Sequence, residues 1–255
     1  MPGPLAETVA LVTGASRGIG KGVALGLGEA GATVYVTGRT VPQVESTARA
    51  VTREGGKGVA APCDHREDGQ VRAVFRRIEA ELGHLDLLVS NLSPNEALDR
   101  SSFWELPLVA WDEHAAALRG QYAAAHFAAP LMISQRSGLI VFISSSGAVD
   151  YFFNVPYHAV KAATDKLAAD MARELRQHEV TVISLWPGLT RTERVLATPE
   201  RYDLSRAATP QFTGRAVAAL ARDRDVSSKS GRALRVIDLA REYDLTDVDG
   251  TLPDW

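Results

Sequence analysis

The sequence predicts an α/β protein with a doubly wound parallel β-sheet, helices on both faces of the sheet and a single domain. Short runs rich in Val, Ile and Leu alternate with amphipathic segments along almost the whole chain. This is the pattern of repeated β–α units with right-handed crossovers. A glycine-rich turn also separates the first apolar run from the first helical segment. The length of 255 residues suits one such domain, and we expect residues 1–255 to form it.

Seven apolar runs are predicted to be strands. None of them alternates strictly between polar and apolar residues, as expected when helices cover both faces of a parallel sheet. The predicted strands are Val9–Thr13, Thr33–Thr37, Gly58–Pro62, Leu85–Ser90, Leu139–Ser144, Val180–Trp186 and Leu234–Ile237.

Helical segments and two long loops lie between these strands. The segment from Arg66 to Leu82 is typical of the helices, because its apolar residues recur with the 3.6-residue period. The stretches from Ser93 to Pro107 and from Pro187 to Pro210 are longer and more polar, and each follows a predicted strand end. Open α/β sheets bind ligands outside the carboxyl ends of their strands, so we expect these loops to border a binding cleft.

Composition excludes several classes of protein. The chain has 45% hydrophobic and 23% charged residues and a net charge of -3, which argues against disorder and against a nucleic-acid-binding surface. No apolar run is long enough to span a membrane. Cys63 is the single cysteine, which fits a reducing compartment, so we expect a soluble cytoplasmic protein. The histidines and the cysteine form no spaced metal-binding pattern.

The glycine-rich turn T-G-A-S-R-G-I-G runs from Thr13 to Gly20. Glycines between a strand and a helix let the backbone approach a pyrophosphate, which then meets free N–H groups at the helix N-terminus. The spacing G-x-x-x-G-x-G differs from G-x-G-x-x-G, so this motif alone is weak evidence for a dinucleotide. A structural glycine turn is the alternative, but the strand–turn–helix context favours dinucleotide binding.

The end of the second strand predicts which dinucleotide binds. An NAD site places an acidic residue there for the ribose 2′-hydroxyl, whereas a nearby arginine suits the 2′-phosphate of NADP. Gly38 occupies the acidic position, Arg39 follows it, and Arg17 can supply a second guanidinium. We therefore expect NADP rather than NAD, unless Arg39 is merely a solvated residue near a helix start. After the third strand, Asp64 can accept a hydrogen bond from adenine or cap the next helix.

Tyr157 and Lys161 are spaced i and i+4, which places them on one face of a helix. The pKa of an unperturbed phenol is about 10. A neighbouring ammonium group stabilises phenolate and brings such a group towards working pH. The triple serine, Ser144 to Ser146, precedes the tyrosine by about a dozen residues. A serine at this strand end would orient a carbonyl substrate and stabilise charge on its oxygen. Y-x-x-x-K by itself is common and usually marks two surface residues.

Taken in order, these motifs resemble the short-chain dehydrogenase/reductase family over nearly the whole chain. The matching segments are the T-G-x-x-x-G-I-G turn, Asp64, the L-V-S-N strand end at Leu88 to Asn91, Ser145, Tyr157, Lys161 and Pro187-Gly188. Four further stretches, F-N-V-P-Y, K-L-A-A-D, S-L-W-P-G and D-L-A-R-E-Y-D-L-T-D-V-D-G, resemble one subgroup of this family. The resemblance implies a Rossmann-type fold and a nicotinamide-dependent oxidoreductase.

The resemblance also implies roles for individual residues. Tyr157 would be the general acid in reduction, Lys161 would lower its pKa and bind the nicotinamide ribose, and Ser145 would orient the carbonyl. Counting back from the tyrosine would instead select Ser144, but the strand favours Ser145. The implied cofactor-binding residues are Gly14, Ser16, Arg17, Gly18, Ile19, Gly20, Arg39, Asp64, Asn91, Tyr157, Lys161, Pro187, Gly188, Thr190 and Thr192.

The chain departs from the family pattern in two places. The usual N-N-A-G strand end reads Ser90-Asn91-Leu92-Ser93. The family also places an asparagine on its fourth helix to support a water-linked proton path, and Ala117 stands at that position here. Gln121, or backbone and water, would have to replace it. This loss motivates a second hypothesis: a catalytically weak NADP-binding sensor or scaffold of the same fold.

Aromatic residues suggest the substrate class. Tyr151, Phe152, Phe153, Trp186 and Trp104 lie near the proposed site in sequence, and an apolar pocket suits a hydrophobic ketone, aldehyde, quinone or steroid-like substrate. The alternative is that most of them belong to the core or an interface. Alanines on the helix of Tyr157 would allow close packing with a second subunit, so we expect a homodimer or homotetramer. The turn also matches the hydrolase motif G-x-S-x-G, but one preceding strand and no late histidine argue against a hydrolase.

Overall fold

The computed structural model describes residues 3–94 and 100–253. Within them, seven parallel strands form one sheet in the order β3-β2-β1-β4-β5-β6-β7. The order reverses between β1 and β4, which is the switch point of a Rossmann-type doubly wound sheet. The predicted fold class is therefore confirmed. The strands are β1 Val9–Val12, β2 Thr33–Val36, β3 Lys57–Ala60, β4 Leu87–Ser90, β5 Gly138–Ile143, β6 Val180–Trp186 and β7 Ala233–Arg235.

Helices cover both faces of the sheet. One buried apolar cluster joins the sheet to α1, α2, α7 and α8, and a second joins it to α3, α4 and α5. This two-sided burial explains why the strands are apolar on both faces. The helices are α1 Gly18–Glu29, α2 Val41–Arg53, α3 Asp68–Leu82, α4 Leu108–Gln135, α5 Val155–Leu175, α6 Glu193–Leu196, α7 Pro210–Arg222 and α8 Val236–Glu242.

The close packing of α1 on α7 depends on glycine. A Cβ atom at Gly22 would lie 2.1 Å from the backbone carbon of Pro210, and one at Gly26 would lie 2.6 Å from that of Gly214. The two helix backbones therefore touch directly. This contact fixes α1, whose N-terminus points to the carboxyl ends of the strands.

The last strand is shorter than predicted. We expected it to run from Leu234 to Ile237, but β7 ends at Arg235, and Val236 and Ile237 begin α8. Both residues are fully buried, as they would also be in a strand. A short run of β-branched residues does not distinguish an edge strand from the first turn of a buried helix.

The two long loops differ in how much of them is described. Residues 95–99 of the loop that begins at Ser93 lie outside the described residues. The loop from Pro187 to Pro210 contains α6 and two 3₁₀ turns. In the described part of the chain, no helix is long and apolar enough to cross a membrane. Those same residues contain no cluster of three His, Cys, Asp or Glu side chains able to hold a metal ion.

Candidate active site

A cavity of about 1000 Å³ opens at the carboxyl ends of the strands. It extends from the end of β2, past the glycine-rich turn, to the end of β5 and the first turns of α5. Every predicted site residue except Gly20 lines it, namely Gly14, Ser16, Arg17, Gly18, Ile19, Arg39, Asp64, Asn91, Ser145, Tyr157, Lys161, Pro187, Gly188, Thr190 and Thr192. The fold thus brings together segments that are distant in sequence.

The glycine-rich turn is built to bring backbone close to a ligand. Gly14 and Gly18 have φ values of 60° and 58°, a region that favours glycine. Gly20 is buried beneath the turn, where a Cβ atom would lie 2.4 Å from Nδ2 of Asn91. That same Nδ2 donates to the carbonyl oxygens of Gly14 at 3.1 Å and Thr13 at 3.3 Å. Asn91 therefore holds the shape of the turn from the end of β4.

A carboxylate side chain of the protein itself occupies the N-terminus of α1. The amide of Gly18 donates to Oε2 of Glu193 at 2.9 Å, across 175 residues of sequence. A carboxylate at this amide stands in for a phosphate oxygen, because both are anionic acceptors for free helix N–H groups. The turn and the helix end therefore fit a dinucleotide diphosphate.

The end of β2 carries no acidic side chain and has little space for one. A Cβ atom at Gly38 would already lie 3.3 Å from the Oγ of Ser16 and 3.2 Å from Val44. Arg39 and Arg17 are exposed and line this end of the cavity. Two guanidinium groups beside a position without a carboxylate fit a ribose 2′-phosphate better than a free 2′-hydroxyl.

Asp64 has a role that differs from the predicted helix cap. The cap residue of α3 is Glu67, and it makes no side-chain capping bond. Asp64 instead accepts a bidentate bond from Arg66, whose Nη2 lies 2.8 Å from Oδ2. This guanidinium holds the pKa of Asp64 below its usual range. Arg66 also lines the cavity, so a third guanidinium stands in the lining together with Arg39 and Arg17.

Ser145 and Tyr157 meet at the opposite end of the cavity. Ser145 Oγ lies 2.8 Å from the Tyr157 hydroxyl oxygen, and it accepts a bond from the Gly147 amide at 3.1 Å. Asn154 caps α5 by accepting from the Tyr157 amide at 3.0 Å, which fixes the tyrosine in the first turn. Ser144 Oγ donates to the Lys161 carbonyl oxygen at 3.2 Å instead. Of the two serines, Ser145 is the one paired with the phenol.

The ionisation of Tyr157 differs from the expectation. We expected a lowered pKa, but burial raises the pKa of Tyr157, and this outweighs the lowering by the Ser145 hydrogen bond and the Arg194 charge. Lys161 Nζ lies 5.7 Å from the centre of the phenol ring and donates to the Ile143 carbonyl oxygen at 3.2 Å. Burial lowers the pKa of Lys161 to about 8. The physical reason for both shifts is that the apolar site disfavours either charged form.

The loop after β6 closes the cavity from the side. Gly188 turns the chain with a φ of 76° directly after Pro187. Thr190 Oγ1 donates to the Gly188 carbonyl oxygen at 3.2 Å, and Thr192 caps α6 by accepting from the Val195 amide at 3.4 Å. These contacts place both threonine side chains along the lining of the cavity.

Comparison with known proteins identifies the family. A family model described as short chain dehydrogenase matches residues 8–203. Dehydrogenase/reductase SDR family member 1 from Mus musculus is 43% identical over 269 positions, which cover 98% of this chain and 86% of the mouse protein. The Homo sapiens protein of the same name has the same identity and coverage. The chain belongs to the short-chain dehydrogenase/reductase family.

Solved structures agree with this assignment. A short-chain type dehydrogenase/reductase from Mycobacterium marinum superposes with a TM-score of 0.78 at 30% identity, covering 91% of this chain and 94% of that one. A metagenomic short-chain oxidoreductase in complex with NADP superposes with a TM-score of 0.76 at 30% identity, covering 91% and 98%. Family membership establishes a nicotinamide-dependent oxidoreductase acting on CH–OH or C=O groups. The predicted resemblance to the subgroup of dehydrogenase/reductase SDR family member 1 is confirmed.

The fourth helix carries Ala117 at the position where the sequence resemblance implied an asparagine. Ala117 lines the cavity. Gln121 is buried one turn further along, and its Nε2 donates to the Leu92 carbonyl oxygen at 2.8 Å. Its Oε1 accepts from Thr164 Oγ1 at 3.2 Å. Gln121 therefore ties the loop after β4 to α5, the helix that carries Lys161.

Three of the five aromatic residues grouped by sequence lie at the cavity. Phe152, Phe153 and Trp186 line it. Tyr151 is 67% exposed and Trp104 is 73% exposed, and neither belongs to the lining. Sequence proximity overestimated the aromatic wall because adjacent loop residues point in different directions.

Sequence reasoning missed several polar residues of the site. Glu193 binds the Gly18 amide, and Arg194 Nη2 donates to the Pro94 carbonyl oxygen at 2.7 Å across the cavity mouth. His158 follows Tyr157 and bonds the loop that carries Phe152. Charged residues directly after Thr192 were a weak signal for the first two. Nothing in the spacing pointed to His158.

Proposed function

We propose that this protein is an NADP(H)-dependent reductase of hydrophobic carbonyl compounds, working in the reverse direction on the corresponding alcohols. The observation that carries the proposal is the 2.8 Å separation of Ser145 Oγ and the Tyr157 hydroxyl inside a cavity that also contains the glycine-rich turn. Two hydroxyls this close can both hydrogen-bond one carbonyl oxygen.

Ser145, Tyr157 and Lys161 each have a separate role in the proposed reduction. A nicotinamide held beside Tyr157 and Lys161 would supply the hydride for the carbonyl carbon. Ser145 orients the carbonyl, because its oxygen accepts from the Gly147 amide and its O–H, which lies beside the Tyr157 hydroxyl, can turn to donate to the substrate. Tyr157 donates its proton to the carbonyl oxygen as the C=O π bond breaks, which yields the alcohol. The Lys161 ammonium stabilises the resulting phenolate and binds the nicotinamide ribose.

The preference for NADP is supported by the end of β2. Arg39 and Arg17 border the cavity, and position 38 between them and Ser16 is a glycine whose Cβ atom would already be in tight contact with Ser16. We expect Arg39→Ala to weaken NADPH binding at least about tenfold and to change NADH binding little. Fluorescence titration with both cofactors measures this. Arg49→Ala is the matched control, since Arg49 is exposed on α2 outside the cavity lining. Equal losses for the two cofactors would refute the NADP assignment.

The substrate class follows from the walls near Tyr157. Phe152, Phe153 and Trp186 provide apolar surface, so ketones, aldehydes, quinones and steroid-like carbonyls are the proposed substrates. Another relative supports testing alicyclic compounds. It is named cis-4-hydroxycyclohexanecarboxylate dehydrogenase, from Sinomonas cyclohexanicum, and is 33% identical over 86% of this chain and 90% of its own length.

A substrate panel tests the function. We expect NADPH oxidation with at least one aromatic or alicyclic ketone, aldehyde or quinone. Tyr157→Phe should keep NADPH affinity and lose at least about 10²-fold in rate. Tyr122→Phe is the control, because Tyr122 is 51% exposed on α4 and lies outside the cavity lining. A normal rate in Tyr157→Phe would place the acid elsewhere.

Ala117 motivates the second hypothesis, a catalytically weak NADP-binding sensor or scaffold. Without the family asparagine, the proton path behind Lys161 depends on other groups, with Gln121 nearby already bonded at both ends of its amide. Tight NADPH binding without turnover across the panel would favour this hypothesis. Turnover would exclude it.

The remaining proposals concern the assembly. We propose that residues 1–255 act as one nicotinamide-binding domain in a cytoplasmic homodimer or homotetramer. Ala162 is exposed on α5 and would allow a second subunit to approach closely. The buried thiol of Cys63 suits a reducing compartment. Light scattering during size-exclusion chromatography tests the assembly, and a monomer would refute it.

A further inference from the structure

His158 makes three hydrogen bonds to one loop. Its Nε2 accepts from the amides of Phe152 and Phe153, each at 3.0 Å. Its Nδ1 bonds the Gly147 carbonyl oxygen at 2.8 Å. The imidazole therefore ties both ends of the segment 147–153 to the first turn of α5. We call this segment the pocket loop.

These bonds specify one protonation state of the ring. The Gly147 carbonyl accepts, so Nδ1 must carry a hydrogen, and the two amides donate, so Nε2 must present its lone pair. The neutral Nδ1–H form satisfies all three bonds. A second proton would place an Nε2–H against two amide donors, and both bonds to the pocket loop would be lost.

The pocket loop connects His158 to the catalytic groups. The Gly147 amide donates to Ser145 Oγ, which lies beside the Tyr157 hydroxyl. A Cβ atom at Gly147 would lie 2.7 Å from the Tyr157 ring, so this part of the loop already touches the phenol. At the other end, the Phe152 and Phe153 rings lie 5.9 Å and 5.2 Å from the Tyr157 ring.

The surroundings of the imidazole contain few charges. The Tyr151 ring stacks on it from the pocket loop at 4.8 Å, and the Tyr157 ring lies 5.2 Å away on α5. The Phe152 ring meets it edge-on at 5.0 Å. Asp150, next to Tyr151, is exposed and lines the cavity. No carboxylate of the described residues forms an ion pair with His158; His84 is the histidine that does so.

We propose that His158 is a positioning residue: in its neutral form it holds the pocket loop against the catalytic helix and so keeps the substrate side of the cavity in shape. This inference rests on the proposed function, since it assigns the pocket loop to the substrate. His158 touches the loop and not the reacting atoms. Its loss should therefore raise KM much more than it lowers kcat, and NADPH affinity should stay unchanged.

Two substitutions separate the two sides of the ring. His158→Gln puts a neutral acceptor near the position of Nε2, so it keeps the two hydrogen bonds from the amides of Phe152 and Phe153. His158→Asn reaches the position of Nδ1 and cannot accept from those amides. His178→Gln is the control, because His178 lies just before the amino-terminal end of β6, whereas the cavity is at the carboxyl ends of the strands.

Steady-state kinetics at saturating NADPH give the first readout. His158→Gln should keep a KM close to that of the wild type. His158→Asn should show a KM about tenfold higher with kcat little changed, the effect of about 1.4 kcal/mol of lost binding. A wild-type KM in His158→Asn, or a KM about tenfold higher in His158→Gln, would overturn the proposal.

Hydrogen exchange of the peptide covering residues 147–156 gives the second readout and needs no turnover. At one fixed pH, His158→Asn should exchange faster there than the wild type and His178→Gln should not. If no substrate turns over but this difference in exchange appears, the proposed function fails and the positioning of the pocket loop by His158 stands. If His158→Asn exchanges at the wild-type rate, His158 does not hold the pocket loop and the proposal is wrong. Should His158→Asn not fold, the wild-type amides of Phe152 and Phe153 are themselves expected to be protected from exchange, and exchange at their intrinsic rates refutes the proposal.

Discussion

Replacing Lys161 with methionine removes a buried charge and keeps a side chain of similar length. Burial lowers the pKa of this lysine from 10.5 to about 8. At about 1.4 kcal/mol for each pKa unit, holding the charge in the folded protein costs about 3 kcal/mol. The substitution also loses the Lys161 bond to the Ile143 carbonyl oxygen, a loss of about 1 kcal/mol. We therefore expect Lys161→Met to raise the free energy of unfolding by about 2 kcal/mol at pH 7.

The pH dependence of this gain has a definite sign. Between about pH 8 and pH 10.5 the unfolded chain binds the lysine proton and the folded protein does not, so wild-type stability rises with pH. Below about pH 8 both states bind the proton and the cost stays constant. The advantage of Lys161→Met should thus be full at pH 7 and shrink as pH rises towards 10.5.

Urea unfolding of the cofactor-free proteins at pH 7 and at about pH 10 measures the effect, and NADPH oxidation measures activity. We expect the variant to be more stable at pH 7 and at least about 10²-fold slower. Lys166→Met is the control, because Lys166 is exposed on the same helix and pairs with Asp170. A less stable variant at pH 7, or a stability difference independent of pH, would refute the argument from charge burial.

Two further predictions concern the serines and the glycine-rich turn. Ser145→Ala should lose at least about 10²-fold in kcat/KM, whereas Ser144→Ala should keep most activity. Both should lose about 1 kcal/mol of unfolding free energy, because the Ser145 hydroxyl bonds the Gly147 amide and the Ser144 hydroxyl bonds the Lys161 carbonyl. The opposite pattern of activity would exchange their roles. Gly20→Ala should weaken NADPH binding more than about tenfold in a fluorescence titration, because its Cβ would lie 2.5 Å from the Gly14 carbonyl oxygen. Gly69→Ala, with nothing within 4 Å, is its control, and wild-type affinity in Gly20→Ala would contradict the close packing of the turn.

Sequence periodicity predicted the sheet well because two-sided burial leaves a strong signal. All seven strands were found, and no strand boundary differs from the prediction by more than two residues. At the edge strand β7, Val236 and Ile237 were assigned to the strand but begin a helix, in which they are buried just as they would be in a strand. Burial alone determines which residues are apolar. It does not determine backbone conformation in a run of four residues.

The site was predictable where short-range spacing determines geometry. Tyr157 and Lys161 share a helix face, and the extended backbone around Ser145 turns that side chain, rather than Ser144, to the phenol. The contacts of Glu193, Arg194 and His158 were not predictable, because they join loops across the cavity or depend on side-chain rotamers. The Gly18–Glu193 bond spans 175 residues, and no local pattern specifies such a pair.

The ionisation of the site could not be read from residue types either, and its direction bears on the reaction. Burial raises the pKa of Tyr157, so the phenol stays protonated at neutral pH and can donate in reduction. Lys161, with a pKa of about 8, remains charged at pH 7 and loses its charge above about pH 8. Reduction needs both the phenol and the ammonium, so its rate should fall as pH rises through about 8. Oxidation needs phenolate and should gain with rising pH. Initial rates in both directions from about pH 6 to about pH 9.5 test this argument, and a rate of reduction that rises above pH 8 would contradict the assignment of Tyr157 and Lys161 as a protonated pair.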